Sequence, residues 1–279
     1  MIKIKEILNP DLGKAFQRIS IALRQYSPEK IEWVNHNNAD LFILHTVGGK
    51  EYDKFYTLPI NKTINIQHCY FTTAVTPEQW FRLWKDAKLN ISFHDLQSYT
   101  IDKIEFLKVP WGADPNIFKY NHYIKNIKVF TTGHVAATEA LDLVHSACEK
   151  TNNIMYHTGA NLKYPPLHYK YLNYMPDDML GAYLNRAQYI SCLRWIEGFE
   201  MMGIEGAMCG ATPIIFDLPT YSYYKGFGYF INSTDNVEKQ LAELFLSEYK
   251  PLSEEQIEYV RKNFDWKVIV ESIFKRIME

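Results

Sequence analysis

The residues best suited to chemistry lie in one stretch, Ile190-Ser-Cys-Leu-Arg194-Trp-Ile-Glu197-Gly198-Phe199-Glu200-Met-Met-Gly-Ile-Glu205-Gly-Ala-Met-Cys-Gly210-Ala-Thr-Pro213-Ile-Ile-Phe216. Its two apolar runs, polar middle and small-residue segment read as strand, loop, helix, turn and strand. Glu197 falls in the loop at the carboxyl end of the first strand, and Glu205 lies eight residues on, inside the helix. A helix start presents unpaired N–H groups and a positive dipole end, which suits a phosphate or a developing oxyanion. Carboxylates beside such a place accept hydrogen bonds from hydroxyl groups, those of a sugar included. Taken alone, two glutamates are more simply a solvated loop residue and a solvated helix residue. The wider pattern changes that balance.

Strand-like and helix-like patterns alternate along the whole chain, which predicts an α/β protein with parallel sheets. Strands are expected at Ile2–Leu8, Ile31–Val34, Asp40–His45, Thr63–His68, Asn90–Phe93 and Ile104–Val109. A helix follows the first strand, because Leu12, Phe16, Ile19 and Leu23 recur at helical spacing, and another covers Pro77–Ala87. The turn formers of Pro110-Trp-Gly-Ala-Asp-Pro115 then mark a linker. Beyond it, strands are expected at Ile127–Thr132, Asn153–His157, Tyr189–Leu193 and Thr212–Phe216, and helices at Ala136–Lys150, Asp177–Ala187, Gly203–Cys209 and Asn236–Ser247. Asp235 with Glu238 and Ser253 with Gln256 have capping-box spacing, and Trp266 to Ile277 is amphipathic. Open parallel sheets bind ligands outside the carboxyl ends of their strands, so the loops after the strands are where chemistry is sought.

The 279 residues allow one large domain or two modest ones. With 47% apolar and 22% charged residues, the chain can support a sizeable core. A net charge of −2 supplies no global field toward nucleic acid or anionic lipid. Cys69, Cys148, Cys192 and Cys209 form neither a C-x-x-C pair nor a zinc-spaced cluster, so free thiols in a reducing compartment are expected. The start lacks the apolar run of a signal peptide, and no stretch reaches the length of a membrane span. A cytoplasmic protein is expected, and nothing in the sequence sets its oligomeric state.

The Glu-x7-Glu spacing, the Glu-Gly-Phe start and the Glu-x4-Gly-x2-Pro continuation resemble the donor site of the large retaining GT-B glycosyltransferase family. Tyr171 to Ile190 is similar to the strand and helix before that site, and Val109-Pro-Trp-Gly-Ala-Asp114-Pro-Asn-Ile-Phe118 to the family's linker. Asp40–His45 and Thr63–His68 resemble two N-terminal strands ending in histidine, and Phe264-Asp-Trp266 the start of a last helix that crosses back. The resemblance implies two Rossmann-like domains facing each other across a cleft: residues 1–112 for the acceptor, 113–263 for the nucleotide-sugar donor, and a returning helix at 264–279. It implies a hexosyl- or pentosyltransferase that moves a sugar from a nucleotide-diphosphate sugar to a hydroxyl with retention, without metal or other cofactor. Glu197 would contact the donor sugar and Glu205 the ribose hydroxyls, while the amides of Gly198, Phe199 and Glu200 would face the sugar or diphosphate. His68 would lie near the transferred sugar; for His68 and His45 a plain hydrogen-bonded strand-end histidine is the equal alternative. Gly13 and Lys14 stand where the family's glycine-rich loop touches the diphosphate, with an ordinary turn and a surface lysine as the other reading.

The pattern departs from the family at the diphosphate. Where the family has an arginine and a lysine, the run Gly133-His134-Val-Ala-Ala-Thr-Glu139 has a histidine and a glutamate, and Glu200 replaces a glycine. The leaving diphosphate gains negative charge as the glycosidic bond breaks, so the lost cations need replacements. Lys14, Arg194 and a protonated His134 are the candidates. A catalytically silent sugar- or nucleotide-binding module is the competing expectation. The chain has no Asp-x-Asp for a divalent ion, no P-loop and no G-x-G-x-x-G. The acceptor stays open among a cell-surface saccharide, a lipid-linked sugar and a modified nucleobase. The N-terminal aromatics Trp33, Tyr52, Phe55, Tyr56, Tyr70, Phe71, Trp80, Phe81 and Trp84 are expected mostly in the core, and Lys14, Arg18 and Arg24 on a solvated helix face.

Overall fold

The computed structural model describes residues 1–10, 14–68, 75–93, 104–133, 137–195 and 200–279, with the backbone alone at 14 and 15. The chain forms two compact units, one of Met1–Pro110 with Trp266–Glu279 and one of Trp111–Asp265. Each is an α/β unit built on a six-stranded parallel sheet.

In the first unit the strands are β1 (Ile2–Ile7), β2 (Ile31–Trp33), β3 (Leu41–Thr46), β4 (Thr63–Gln67), β5 (Leu89–Ser92) and β6 (Phe106–Lys108). Their order is β2-β1-β3-β4-β5-β6, and every pairing is parallel. The order reverses beside β1, which is therefore a topological switch point. Helix α1 (Lys14–Gln25) buries Ile19, Ala22 and Leu23 on one stripe. Helix α2 (Gly49–Phe55) is not apparent in the sequence: it is short, opens on two glycines, and is tied down by Glu51, whose carboxylate accepts from Gly48 N–H at 3.0 Å and from Asn9 Nδ2 at 3.0 Å. Helix α3 (Pro77–Asp86) starts at a Thr76–Gln79 capping box with proline in its first turn, and Trp80, Leu83 and Trp84 form its buried face. These three join Leu44 and Phe55 in the core, with Tyr52, Tyr56 and Phe81 packed against it, as the aromatic content predicts. Tyr70 and Phe71 lie outside the described residues.

In the second unit the strands are β7 (Ile127–Gly133), β8 (Met155–Gly159), β9 (Tyr169–Leu172), β10 (Ala187–Ser191), β11 (Thr212–Phe216) and β12 (Tyr229–Ile231). Their order, β12-β11-β10-β7-β8-β9, reverses between β7 and β10, and again every pairing is parallel. Helices α4 (Leu141–Lys150), α5 (Asp177–Arg186), α6 (Met201–Met208), α7 (Val237–Leu246) and α8 (Glu254–Asn263) cover the sheet's strands, most of which are buried on both faces. Helix α4 begins at Leu141 rather than Ala136, because Ala140 is left-handed at φ 50° and interrupts any helix running into it. The expected Asp235 cap is replaced by Asn236, whose side chain accepts from Lys239 N–H, while Ser253 and Gln256 form their capping box as expected. The three-residue edge strand β12 is too short to show periodicity. The chain enters and leaves this unit side by side: Ala113 N–H donates to Phe264 O at 2.9 Å, and Ala113 bridges to Asp265.

The last helix, α9 (Trp266–Met278), belongs to the first unit. It buries Trp266, Ile269, Val270, Ile273, Phe274 and Ile277, and its Phe274 ring meets Trp33 edge-on at 6.1 Å. Among the described residues, no helix is long and apolar enough to cross a membrane. Cys148, Cys192 and Cys209 are buried free thiols; Cys69 lies outside the described residues.

Candidate functional site

Each unit places a group of ionisable side chains at the carboxyl ends of its strands, beside its switch point. In the first unit the group starts at Glu6, near the end of β1. Its Oε1 lies 2.9 Å from His45 Nε2, on β3, and His45 Nδ1 lies 2.9 Å from His68 Nε2, just after β4. The other carboxylate oxygen accepts from Ser20 Oγ at 2.9 Å and from Arg24 Nε at 2.8 Å, both on α1. Five side chains, from two strands, the end of a third and a helix, thus form one hydrogen-bonded chain. Its side chains at Glu6 and His45 are 2% and 0% exposed, and His68 is 2% exposed.

The electrostatics follow from this geometry. Burial opposes the charge on Glu6, but the hydrogen bond from His45, the positive charge His45 carries when protonated, and then Ser20 and Arg24 outweigh it and hold the carboxyl below its usual range. The His68 ring lies edge-on to Phe16 at 4.8 Å and over Phe93 at 5.7 Å, so apolar rings fix its plane. Behind this chain, Thr46, Asn65, Gln67 and Asn90 form a second buried polar network, closed by Trp84 Nε1 donating to Gln67 Oε1 at 2.9 Å. The sequence alone does not single out Glu6 or Ser20, and it places Arg24 on a solvated face. Arg24 does lie on an exposed face, and from there its guanidinium pairs with Glu6 and lies over the Trp33 ring at 5.0 Å.

In the second unit, Glu139 follows β7 and Arg194 follows β10, and the two loops are tied by Trp195 N–H donating to Thr138 O at 3.1 Å. Arg194 is clamped between Glu139 and Glu200, with all three side chains largely buried. Gly133, at the end of β7, makes room for this: it sits at φ +143°, and a Cβ there would overlap the Glu139 carboxylate. Tyr221 Oη donates to Arg194 O at 3.2 Å, and Tyr224 Oη to Glu200 O. Burial and then the Glu200 charge push the Cys192 thiol well above its usual range, which makes it an inert neighbour. Glu205, inside α6, is 1% exposed. This excludes the alternative of a solvated helix residue for Glu205, and a carboxylate this deep is rarely tolerated without a specific role or partner.

Of the residues singled out in the sequence, the structure describes His68, Arg194, Glu200 and Glu205. It brings Arg194 and Glu200 together with Glu139. Arg194, a candidate replacement cation, is already engaged by two carboxylates. Gly13, His134, Glu197, Gly198 and Phe199 lie outside the described residues, and Lys14 is the first residue of α1, known by its backbone. Among the described residues, no cluster of three or more His, Cys, Asp or Glu side chains is placed to hold a metal ion.

No protein-family model matches the chain, and no curated protein matches it. Solved structures do. A sucrose-phosphate synthase from Thermosynechococcus elongatus is 10% identical, with a TM-score of 0.76 over 99% of this chain and 98% of that one. WaaG, a glycosyltransferase of lipopolysaccharide biosynthesis, is 13% identical, with a TM-score of 0.63 over 99% of each chain. The pneumococcal O-GlcNAc transferase GtfA, solved with UDP and GlcNAc, is 14% identical, with a TM-score of 0.62 over 95% of this chain and 60% of that one. At these identities the likeness establishes the fold, and the fold is that of the GT-B glycosyltransferases, with two Rossmann-like units and a C-terminal helix in the first.

Proposed function

We propose that the chain is a glycosyltransferase that moves a sugar from a nucleotide-diphosphate sugar to an acceptor hydroxyl, with retention and without metal. The observation that carries this reading is the fold likeness to named glycosyltransferases over nearly the full length of both partners. The Glu197…Glu205 spacing after β10 supports it, because it puts the family-like donor motif at a switch point of the second sheet. In the proposed reaction the bond between the donor's anomeric carbon and the diphosphate oxygen breaks. The acceptor oxygen bonds to that carbon on the same face, and its proton passes to the departing diphosphate. Glu197 contacts the donor sugar, Glu205 the ribose, and His68 a hydroxyl of the transferred sugar. Gly13, Lys14, the amides of Gly198, Phe199 and Glu200, and His134 face the diphosphate. Arg194 faces the diphosphate with its charge already offset by two carboxylates.

The test is release of nucleoside diphosphate from a panel of nucleotide sugars, with and without simple acceptors. Release from at least one donor is expected; no release and no nucleotide binding would sink the reading. The clamp on Arg194 favours a second reading, a silent module that binds the nucleotide sugar without transfer, since it offsets a cation the leaving group needs. Calorimetry separates the two: tight binding of a donor that is never consumed supports the module.

A further inference from the structure

We propose that Glu6 and His45 are positioning residues that set which nitrogen of His68 carries a proton, and hence whether His68 accepts or donates toward a substrate hydroxyl. The direction of the hydrogen bonds is dictated from the charged end. The Glu6 carboxylate can only accept, so His45 must donate to it from Nε2. A neutral His45 then has its lone pair on Nδ1, 2.9 Å from His68 Nε2, so His68 donates from Nε2. The lone pair of a neutral His68 is thereby assigned to Nδ1, and the ring is an acceptor at that atom. Two bonds relay the constraint from β1 through β3 to the end of β4. The edge-on Phe16 ring and the stacked Phe93 ring keep the His68 plane from adapting.

Among the described residues, the charged groups that bond to this chain are Glu6 from β1 and Arg24 from α1; Ser20 of α1 adds a neutral donor. If one proton enters at His68 Nδ1, the Nε2 proton of His68 passes to His45 Nδ1. The positive charge then rests on His45, against the Glu6 carboxylate, and His68 has become a donor at Nδ1. The same reversal follows from a single-atom change. In Glu6→Gln, Arg24 Nε beside the amide can only donate and Ser20 can donate with it, so the amide oxygen turns to them. The amide NH2 then faces His45 and donates to Nε2, His45 donates from Nδ1, and His68 carries its proton on Nδ1.

The substrate half of this inference rests on the proposed sugar transfer, whereas the tautomer does not. The experiment is nitrogen-15 NMR of histidine-labelled full-length protein without ligand, with the His68 signals identified by their loss in His68→Asn. At neutral pH the wild type should show an N–H at Nε2 and a lone-pair nitrogen at Nδ1; Glu6→Gln should show the reverse, and Glu6→Asp the wild-type pattern. The same His68 pattern in wild type and Glu6→Gln overturns the proposal. With a donor that the wild type consumes, Glu6→Gln should lose about tenfold in kcat at nearly unchanged KM, one neutral hydrogen bond's worth, and Glu6→Asp should recover most of it. A reversed tautomer with unchanged kcat removes the substrate role. A wild type that consumes no nucleotide sugar, yet shows the reversal in Glu6→Gln, refutes the proposed function and leaves the relay standing.

Discussion

The two units solve the same problem, ionisable groups at the open end of a parallel sheet, with opposite arithmetic. In the first unit one carboxylate, Glu6, faces Arg24, Ser20 and His45, so donors outnumber the acid and the charges balance. In the second unit one cation, Arg194, is shared by Glu139 and Glu200, so among these three side chains the acids outnumber the base. The difference decides what each can do. A balanced group extended through neutral histidines can transmit hydrogen-bond direction over two strands. A cation held by two buried acids is a structural clamp first, and any role toward an anionic ligand has to compete with that.

The clamp should therefore be the more fragile of the two when its centre is removed. Arg194→Met strands two buried carboxylates together and should cost about 3–5 kcal/mol in urea unfolding; a loss below about 1 kcal/mol would mean that the acids are not held by Arg194 in solution. Glu6→Ala leaves His45 and Ser20 without an acceptor, while half-exposed Arg24 can turn to water, and should cost about 1–3 kcal/mol. Gly133→Ala tests the same clamp through the backbone: its φ of +143° and the overlap with Glu139 predict a loss of about 1–3 kcal/mol. A neutral result there would place the Glu139 carboxylate elsewhere.

The pH dependence sharpens the comparison. The folded Glu6 carboxyl titrates below its unfolded value, so its contribution is present above about pH 4.5 and is lost as pH falls through the lower folded value. The stability gap between wild type and Glu6→Gln should shrink below pH 4.5. A gap that widens in acid would contradict the ion-pair assignment. The smallest expected effects are helix caps away from both groups: Thr76→Ala in the first unit and Asn236→Ala in the second should each cost about 1 kcal/mol. Equal cap losses would show that the contrast belongs to the ionisable groups and not to the units as wholes.

Much of this architecture is legible in the amino-acid sequence. The alternating periodicity predicts both parallel sheets, and the Pro110–Pro115 turn formers fall where the first unit gives way to the second. The short strands β9 and β12 are not among the expected ones, although the equally short β2, β5 and β6 are, and α2 hides behind Gly48 and Gly49 because its anchor is tertiary, through Asn9. The second unit's acids are visible as departures from a family pattern, but their capture of Arg194 is not, since 55 residues separate Glu139 from Arg194. Glu6 does have a local signal. In Ile2-Lys3-Ile4-Lys5-Glu6 it falls on the parity of Ile2 and buried Ile4, so a charge occupies the inward face of a strand. Its partners lie 14 to 39 residues away, which is why the chain of hydrogen bonds emerges only in three dimensions.

The central claim is sugar transfer from a donor held after β10, and Glu197 is the residue on which it turns. The direct measurement is nucleoside-diphosphate release by wild type and Glu197→Gln, side by side, with whichever nucleotide sugar the wild type consumes fastest. The account predicts steady release by the wild type and a loss of about a hundredfold or more in the variant, the scale on which a group that stabilises transition-state charge acts. Equal rates in the two proteins, or a wild type that neither binds nor consumes any nucleotide sugar, would contradict it.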